Sequence, residues 1–219
     1  MFGSENPIAS FLGKITDIVI LNILFILVSL PIFTIGAAWT ALYYVLVKMV
    51  KNEESYVIRD FFKAFKQNFR QGTVLWLVNI IVVALYGVLL MSITGGSLAN
   101  VSDTGFALMV VGAIVILAVM SYQYPMLSHY ENTVPATIRN SILLSIVNLP
   151  CTAVFVILLV LPVAVLFTTY GIYLIPVILL VGMSGPAYVS CFLWRGIFAK
   201  LEKQGEQGEK NGQEEQKTE

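Results

Sequence analysis

Ionisable side chains are missing from most of this sequence. The stretches Ile18 to Val47, Gln71 to Ser102, Thr104 to Tyr130 and Asn140 to Trp194 hold no Asp, Glu, Lys or Arg, and only one histidine, His129. Proton-coupled pumps and ion-driven transporters usually carry intramembrane charges along their pathway, so the sequence argues against that class. With a single histidine in 219 residues, a two-histidine zinc site is impossible within one chain. A Ser-His-Asp triad has only His129 to build on, with no G-x-S-x-G context around it. No G-x-x-x-x-G-K-[ST] loop is present, which excludes ATP hydrolysis by that route. Cys151 and Cys191 stand apart in apolar surroundings and read as buried free thiols. The expectation is therefore a protein that is not an enzyme, with no catalytic residues, no metal ligands and no cofactor.

What remains is hydrophobic. Apolar residues make up 58% of the chain and charged ones 12%, against about 25% charged in soluble domains. A membrane helix takes about 20 mainly apolar residues, so the chain predicts an all-α, polytopic transmembrane helix bundle of five or six spans with a short amphipathic basic cytoplasmic helix. Lys14 followed by an apolar run invites comparison with a signal peptide, but Glu5 precedes that cation and the run is long for an h-region. The first segment is expected to stay.

In chain order, residues 1–14 form an N-terminal interfacial segment in which Asn6-Pro7 can open a helix. The transmembrane bundle covers residues 15–203, with spans at about 15–33, 36–51, 73–93, 105–124, 141–168 and 172–194 and the basic helix at 57–70. Pro31 and Pro125 close the first and fourth spans, and Thr34 can cap the second. Ala37 and Ala41 give a small-xxx-small spacing that permits close helix contact. The apolar stretch from Ser141 to Trp194 would be about 80 Å as one helix, so it folds back near Thr168 to Gly171. Pro186 should kink the last span. Residues 204–219 form a polar tail without apolar content, expected to be disordered.

In the basic helix, Ile58, Phe62, Phe65 and Phe69 fall on one face and Arg59, Lys63, Lys66 and Arg70 largely away from it; Gly72 ends it. This surface is the candidate contact for a partner or for anionic lipid, though it also meets the simpler need for cations that fix topology. Cations interleaved with aromatics also suit nucleic acid, but a fourteen-residue loop beside a membrane argues against it. His129 with Glu131 is a weaker candidate polar site, since catalysis needs convergent partners. The intramembrane amides Asn22, Asn79 and Asn148 are expected to make interhelical hydrogen bonds rather than to line a path. Six Lys and Arg lie between Lys48 and Arg70, five lie from Arg195 onward, and Arg139 sits in the connection from Ser128 to Asn140. By the positive-inside rule these three regions share the cytoplasmic side. A crossing by residues 36–51 gives six spans with both termini inside; without it there are five and the N-terminus is outside.

Three strings together carry a family resemblance: LPIFTIGAAWTALYYVLVKMVKNEE from Leu30, FFKAFKQNFRQGT from Phe61, and YPMLSHYENTVPATIRNSILLSIVNLP from Tyr124. The chain resembles the YesL-like family of bacterial integral membrane proteins, a domain of unknown function, over most of its length excluding the tail. Members of that family are often encoded beside carbohydrate ABC transporters and polysaccharide-degrading enzymes. The resemblance thus implies an accessory or regulatory role in ABC-type carbohydrate transport, with ABC permease subunits and the lipid bilayer as partners. It implies a multi-pass protein of the cell membrane with a cytoplasmic C-terminus, and no catalytic residues are established for the family to carry over. Two other functions stay open from the residues: a small-molecule permease in its own right, and a membrane-embedded enzyme using His129 and Glu131 at the cytoplasmic face. The sugar and the oligomeric state are not encoded legibly.

Overall fold

An apolar helix with no polar stripe has to be covered on all sides, and the second helix of this protein is covered by its own chain. The computed structural model describes residues 7–53, 56–95, 101–130, 133–166 and 171–197. Helix α1 is Pro7–Val28, followed by a 3-10 turn at Ile32–Thr34 and by α2, Ile35–Val50. Then come α3, Val57–Thr94; α4, Asp103–His129; α5, Val134–Val147; α6, Leu149–Leu166; and α7, Gly171–Val181. Residues 184–197 form a last helix, α8. All of the regular structure among the described residues is helical. Three stretches, Ile32–Val50, Val57–Thr94 and Asp103–His129, are long and apolar enough to cross a membrane, or four if the bent pair α5 and α6 forms one span. Of the apolar window of α2, 67% is buried, against 11% for α3 and α4. The apolarity of α2 is thus that of a core element, whereas α3 and α4 present apolar surface outward.

Several expected boundaries move, each for a local reason. The segments expected as the basic helix and the third span are one helix of 38 residues, about 57 Å long by the α-helical rise. Gly72 does not end it. A Cβ on Gly72 would stand 2.8 Å from the Ala37 Cα and 2.9 Å from the Ala37 nitrogen. The glycine is therefore where α3 meets the start of α2 backbone to backbone. Ala37 and Ala41 are fully buried, in keeping with the small-residue spacing. The other end of the same antiparallel pair is held by Lys48 Nζ on Asp60 Oδ2 at 2.9 Å. So α2 lies along the polar first half of α3, and the apolar half beyond Gly72 packs on α4 through Asn79, whose Nδ2 donates to Gln123 Oε1 at 2.7 Å.

Helix α1 runs unbroken through residue 14, so the N-terminal interfacial segment is part of the first helix; residues 1–6 lie outside the description. Helix α1 ends before Pro31, and Thr34 makes no N-cap bond. Its hydroxyl instead donates to the Val28 and Pro31 carbonyls, closing the turn between α1 and α2. Pro125 sits inside α4, which continues to His129. The α4 N-terminus is capped by Ser102 Oγ, which accepts from the Gly105 N–H at 3.2 Å. The helix expected as the fifth span begins earlier, at Val134, with Pro135 in its first turn. It breaks at Asn148, where α5 and α6 meet at 110°. Tyr122 of α4 braces that corner: its hydroxyl lies 2.9 Å from Thr152 Oγ1, which itself donates to the Ser145 carbonyl. The expected turn at 168–171 falls on residues outside the description up to Gly171, where α7 starts. The segment expected as the last span breaks at Gly182 and Met183, so Pro186 falls in the first turn of α8, where a missing N–H is tolerated, and kinks nothing. The tail, with Lys200 and Lys203, lies outside the described residues.

Core packing is centred on α2. Leu42, Leu46, Phe61, Tyr122 and Trp194 are fully buried in one cluster, and burying Phe61 alone contributes about 2 to 3 kcal/mol relative to exposure. The Lys48–Asp60 pair adds less, because both side chains keep some solvent contact, at 25% and 14%. Lys48→Met is expected to destabilise by under about 1 kcal/mol, read as a small shift in the thermal unfolding midpoint of the detergent-purified protein.

Candidate functional site

The first four turns of α3 present three different faces. Val57, Phe61 and Ala64 are buried against α2 and form the packed face, one position before the phenylalanine row. Ile58, Phe62 and Phe69 remain 55%, 40% and 38% exposed, and Phe65 is half-buried between them. The phenylalanines touch in series. Phe61 stacks on Phe65 with ring centres 6.5 Å apart, and Phe65 meets Phe69 edge to face at 5.4 Å. Phe61 thereby ties the exposed row to the core. Arg59, Lys66 and Arg70 are exposed on the neighbouring face. Because α3 exceeds by about 27 Å the roughly 30 Å hydrocarbon layer, its charged first part can project beyond the apolar half.

Lys63 belongs to a third region. With Gln67, Asn68 and Gln71 it forms one wall of a cleft of about 640 Å³, and Ser128, His129, Tyr130 and Thr133 form the other. Two candidates that lie far apart in the sequence, Lys63 and His129, therefore face one space. His129 meets Tyr130 edge to face at 4.8 Å, and Ser128 Oγ donates to the Pro125 carbonyl at 2.7 Å. Glu131 lies outside the described residues, so the pairing of His129 with Glu131 is not among the arrangements seen. One ammonium, one imidazole, three carboxamides and several hydroxyls can hold a polar or anionic group. Among the described residues lining the cleft there is no carboxylate to serve as a catalytic base. Nor do three His, Cys, Asp or Glu side chains gather anywhere among the described residues.

The three asparagines bond within the protein. Asn22 Oδ1 accepts from the backbone N–H groups of Met183 at 3.1 Å and Ser184 at 2.9 Å, and its Nδ2 donates to the Ile178 carbonyl at 3.3 Å. It thus stitches the break between α7 and α8 onto α1. Asn79 joins α3 to α4, donating also to the Tyr124 hydroxyl at 3.1 Å. Asn148 donates to Leu144 of its own helix, so only the first two act between helices. Residues that the sequence did not single out include Phe61, Asp60, Gln67 and Gln71. A helical wheel centred on Phe61 and Ala64 instead of Phe62 and Phe65 would have found the packed face, but both centres are apolar and periodicity alone does not choose between them.

A family model described as a protein of unknown function, DUF624, matches residues 18–92, about a third of the chain. The matched part runs from within α1 almost to the end of α3 and includes the exposed phenylalanine row, but not His129. No curated protein and no solved structure matches the chain.

Proposed function

We propose that this chain is a YesL-like membrane protein of bacteria that acts, without catalysis of its own, as an accessory or regulatory partner of an ABC-type carbohydrate transporter. The observation that carries the reading is the exposed row Ile58, Phe62 and Phe69 flanked by Arg59, Lys66 and Arg70 on the charged part of α3. An apolar stripe beside cations is what a protein partner with an apolar groove and acidic rim takes up. The matching family segment includes that row, and the sequence resemblance supplies the transporter. In this reading the chain crosses the cell membrane five or six times with its C-terminus in the cytoplasm, as the cation distribution requires, and the first part of α3 is the amphipathic basic cytoplasmic helix.

The test is to purify the tagged protein from mildly solubilised native membranes and identify what accompanies it by mass spectrometry. Stoichiometric ABC permease subunits support the reading; recovery of the protein alone overturns it, and substrate flux in proteoliposomes then decides whether the chain is itself a permease. The double variant Phe62→Ser and Phe69→Ser alters exposed side chains. It is expected to keep the unfolding midpoint within a few degrees while lowering partner recovery about tenfold or more, the scale of two lost interface anchors. Quantitative mass spectrometry of the purified material reads that ratio.

A further inference from the structure

One face of α3 changes character along its length. Lys63, Gln67 and Gln71 recur every four residues and Val78 follows seven later, so all four lie on one side of the helix. The first three wall the polar cleft shared with His129. Val78 walls a second space, an apolar groove of about 620 Å³ whose other side is Val134, Ile138, Ile142 and Leu143 of α5, with Arg139 among them. Antiparallel packing produces the arrangement. Asn79 bonds Gln123, and the Tyr86 hydroxyl donates to the Met109 carbonyl, so α4 delivers His129 beside the polar part of α3 and the chain then enters α5 beside Val78. Thr133 lines the cleft and Val134 the groove, which places the two spaces next to one another at a single step of the chain.

We propose that cleft and groove together form one site for a glycerophospholipid of net negative charge, its phosphate held by Lys63, Gln67 and Gln71 and an acyl chain laid along the groove. The chain follows from the walls, which are aliphatic and carry no aromatic ring. Ile142 and Leu143 are 42% and 53% exposed, so the groove opens toward the side on which α3 presents its own apolar surface, and that is where acyl chains lie. The spacing agrees: from Gln71 to Val78 is about 10 Å along the helix, comparable with the thickness of one headgroup layer. The negative charge follows from the donors. Lys63 and Gln67 are exposed and Gln71 is half-buried, and among the described residues Lys63 meets no carboxylate and neither carboxamide meets a partner. Asp60, the acid on this part of α3, is held by Lys48. Arg139 likewise meets no carboxylate among the described residues, and its long stem can follow the groove while the guanidinium reaches a phosphate. A choline or ethanolamine headgroup would bring an ammonium to a lining that, among the described residues, offers no carboxylate to receive it. This site is distinct from the exposed phenylalanine row, and the proposal stands independently of the transporter reading.

Phosphatidylglycerol and phosphatidylcholine with identical acyl chains form the probe pair, since they share the groove contacts and differ in headgroup charge. Each is titrated into the full-length protein in one neutral detergent, and bound lipids are counted by native mass spectrometry. The first phosphatidylglycerol is expected to bind about tenfold more tightly than the first phosphatidylcholine, the scale of one charge-assisted hydrogen bond. Lys63→Gln with Arg139→Gln should remove most of that preference, whereas Lys51→Gln with Arg195→Gln, an equal loss of charge elsewhere, should keep it. Ile142→Trp narrows the groove and should weaken both lipids severalfold. Glycerol 3-phosphate, the anion without chains, should bind more than about tenfold more weakly than phosphatidylglycerol. Equal affinity of the wild type for the two lipids overturns the proposal, as does a preference that falls equally in the two charge-removing pairs. Unchanged lipid affinity in Ile142→Trp overturns it too, and glycerol 3-phosphate bound as tightly as the lipid would make the cleft a site for a soluble anion instead. The substituted side chains are exposed or half-buried, and the wild-type titrations decide the matter even where a variant fails to fold.

Discussion

Gly72→Ala should destabilise the protein severely, whereas Gly87→Ala in the same helix should leave stability unchanged or slightly raised. At Gly72 the new methyl meets backbone: the Ala37 Cα at 2.8 Å and the Gly36 carbonyl carbon at 3.0 Å. Backbone on both sides cannot rotate away, so α2 and α3 must separate along the seam that holds the core helix in place. Overpacking of this kind costs about 3 kcal/mol, and larger side chains more. Gly36→Ala should behave alike, because its added carbon meets the Gly72 carbonyl and Trp76 Cβ from the other side. At Gly87 nothing lies within 4 Å, and alanine favours the helix by nearly 1 kcal/mol over glycine. Thermal unfolding midpoints of the three variants in one detergent separate the cases directly. A Gly72→Ala protein as stable as Gly87→Ala would show that α2 and α3 do not touch there.

The second large effect is expected at Asn22. Asn22→Ala removes the acceptor of two backbone N–H groups and the donor to one carbonyl at the break between α7 and α8. Ser184 Oγ still donates to the Ile18 carbonyl at 3.0 Å, so α8 keeps one tie to α1. The Ile178 carbonyl still accepts from the Gly182 N–H at 2.8 Å, so the Met183 and Ser184 N–H groups are the ones left unsatisfied in apolar surroundings, and at about 1 kcal/mol or more each the loss is on the order of 2 kcal/mol. Asn148→Ala gives up only a bond from its amide to Leu144, one turn back in its own helix, and should cost under about 1 kcal/mol. Hydrogen exchange adds a local reading: in Asn22→Ala the amides of Met183 and Ser184 should lose protection before the rest of the chain does. Equal destabilisation by Asn22→Ala and Asn148→Ala would contradict this ranking of the asparagines.

Much of the helical content was legible because apolar runs bounded by turn residues leave few alternatives. The second helix was placed within one residue at its start and at its end, since the small residues after Thr34 and the cations Lys48 and Lys51 mark both. Gly72 was misread because a glycine in a helical pattern signals equally a terminus or a close helix contact, and only the partner helix decides which. Pro125 and Pro186 were misread for a related reason. A proline marks a place where one hydrogen bond is missing, and whether the helix ends, continues or begins there depends on what packs around it, as Asn22 does at the break before Pro186. The phenylalanine row is legible as one apolar face and a candidate contact surface, and Ile58, Phe62 and Phe69 are exposed. The packed face is not legible: Phe61 and Ala64 form it one position earlier than Phe62 and Phe65, and a shift of one residue turns a helix face by about 100°. The cleft shared by Lys63 and His129 joins residues 66 positions apart in sequence, and nothing in the local pattern of either stretch announces the other.

The partner claim rests on the first part of α3, so the most direct measurement is site-specific photocrosslinking from that helix in native membranes. A photoreactive amino acid replaces Phe69, 38% exposed on the charged part, or Leu89, 53% exposed on the apolar part, and the adducts are identified by mass spectrometry. The account predicts a discrete adduct with an ABC permease subunit from position 69, and lipid or no protein adduct from position 89. No protein adduct at position 69, or the same adduct from both positions, would contradict it.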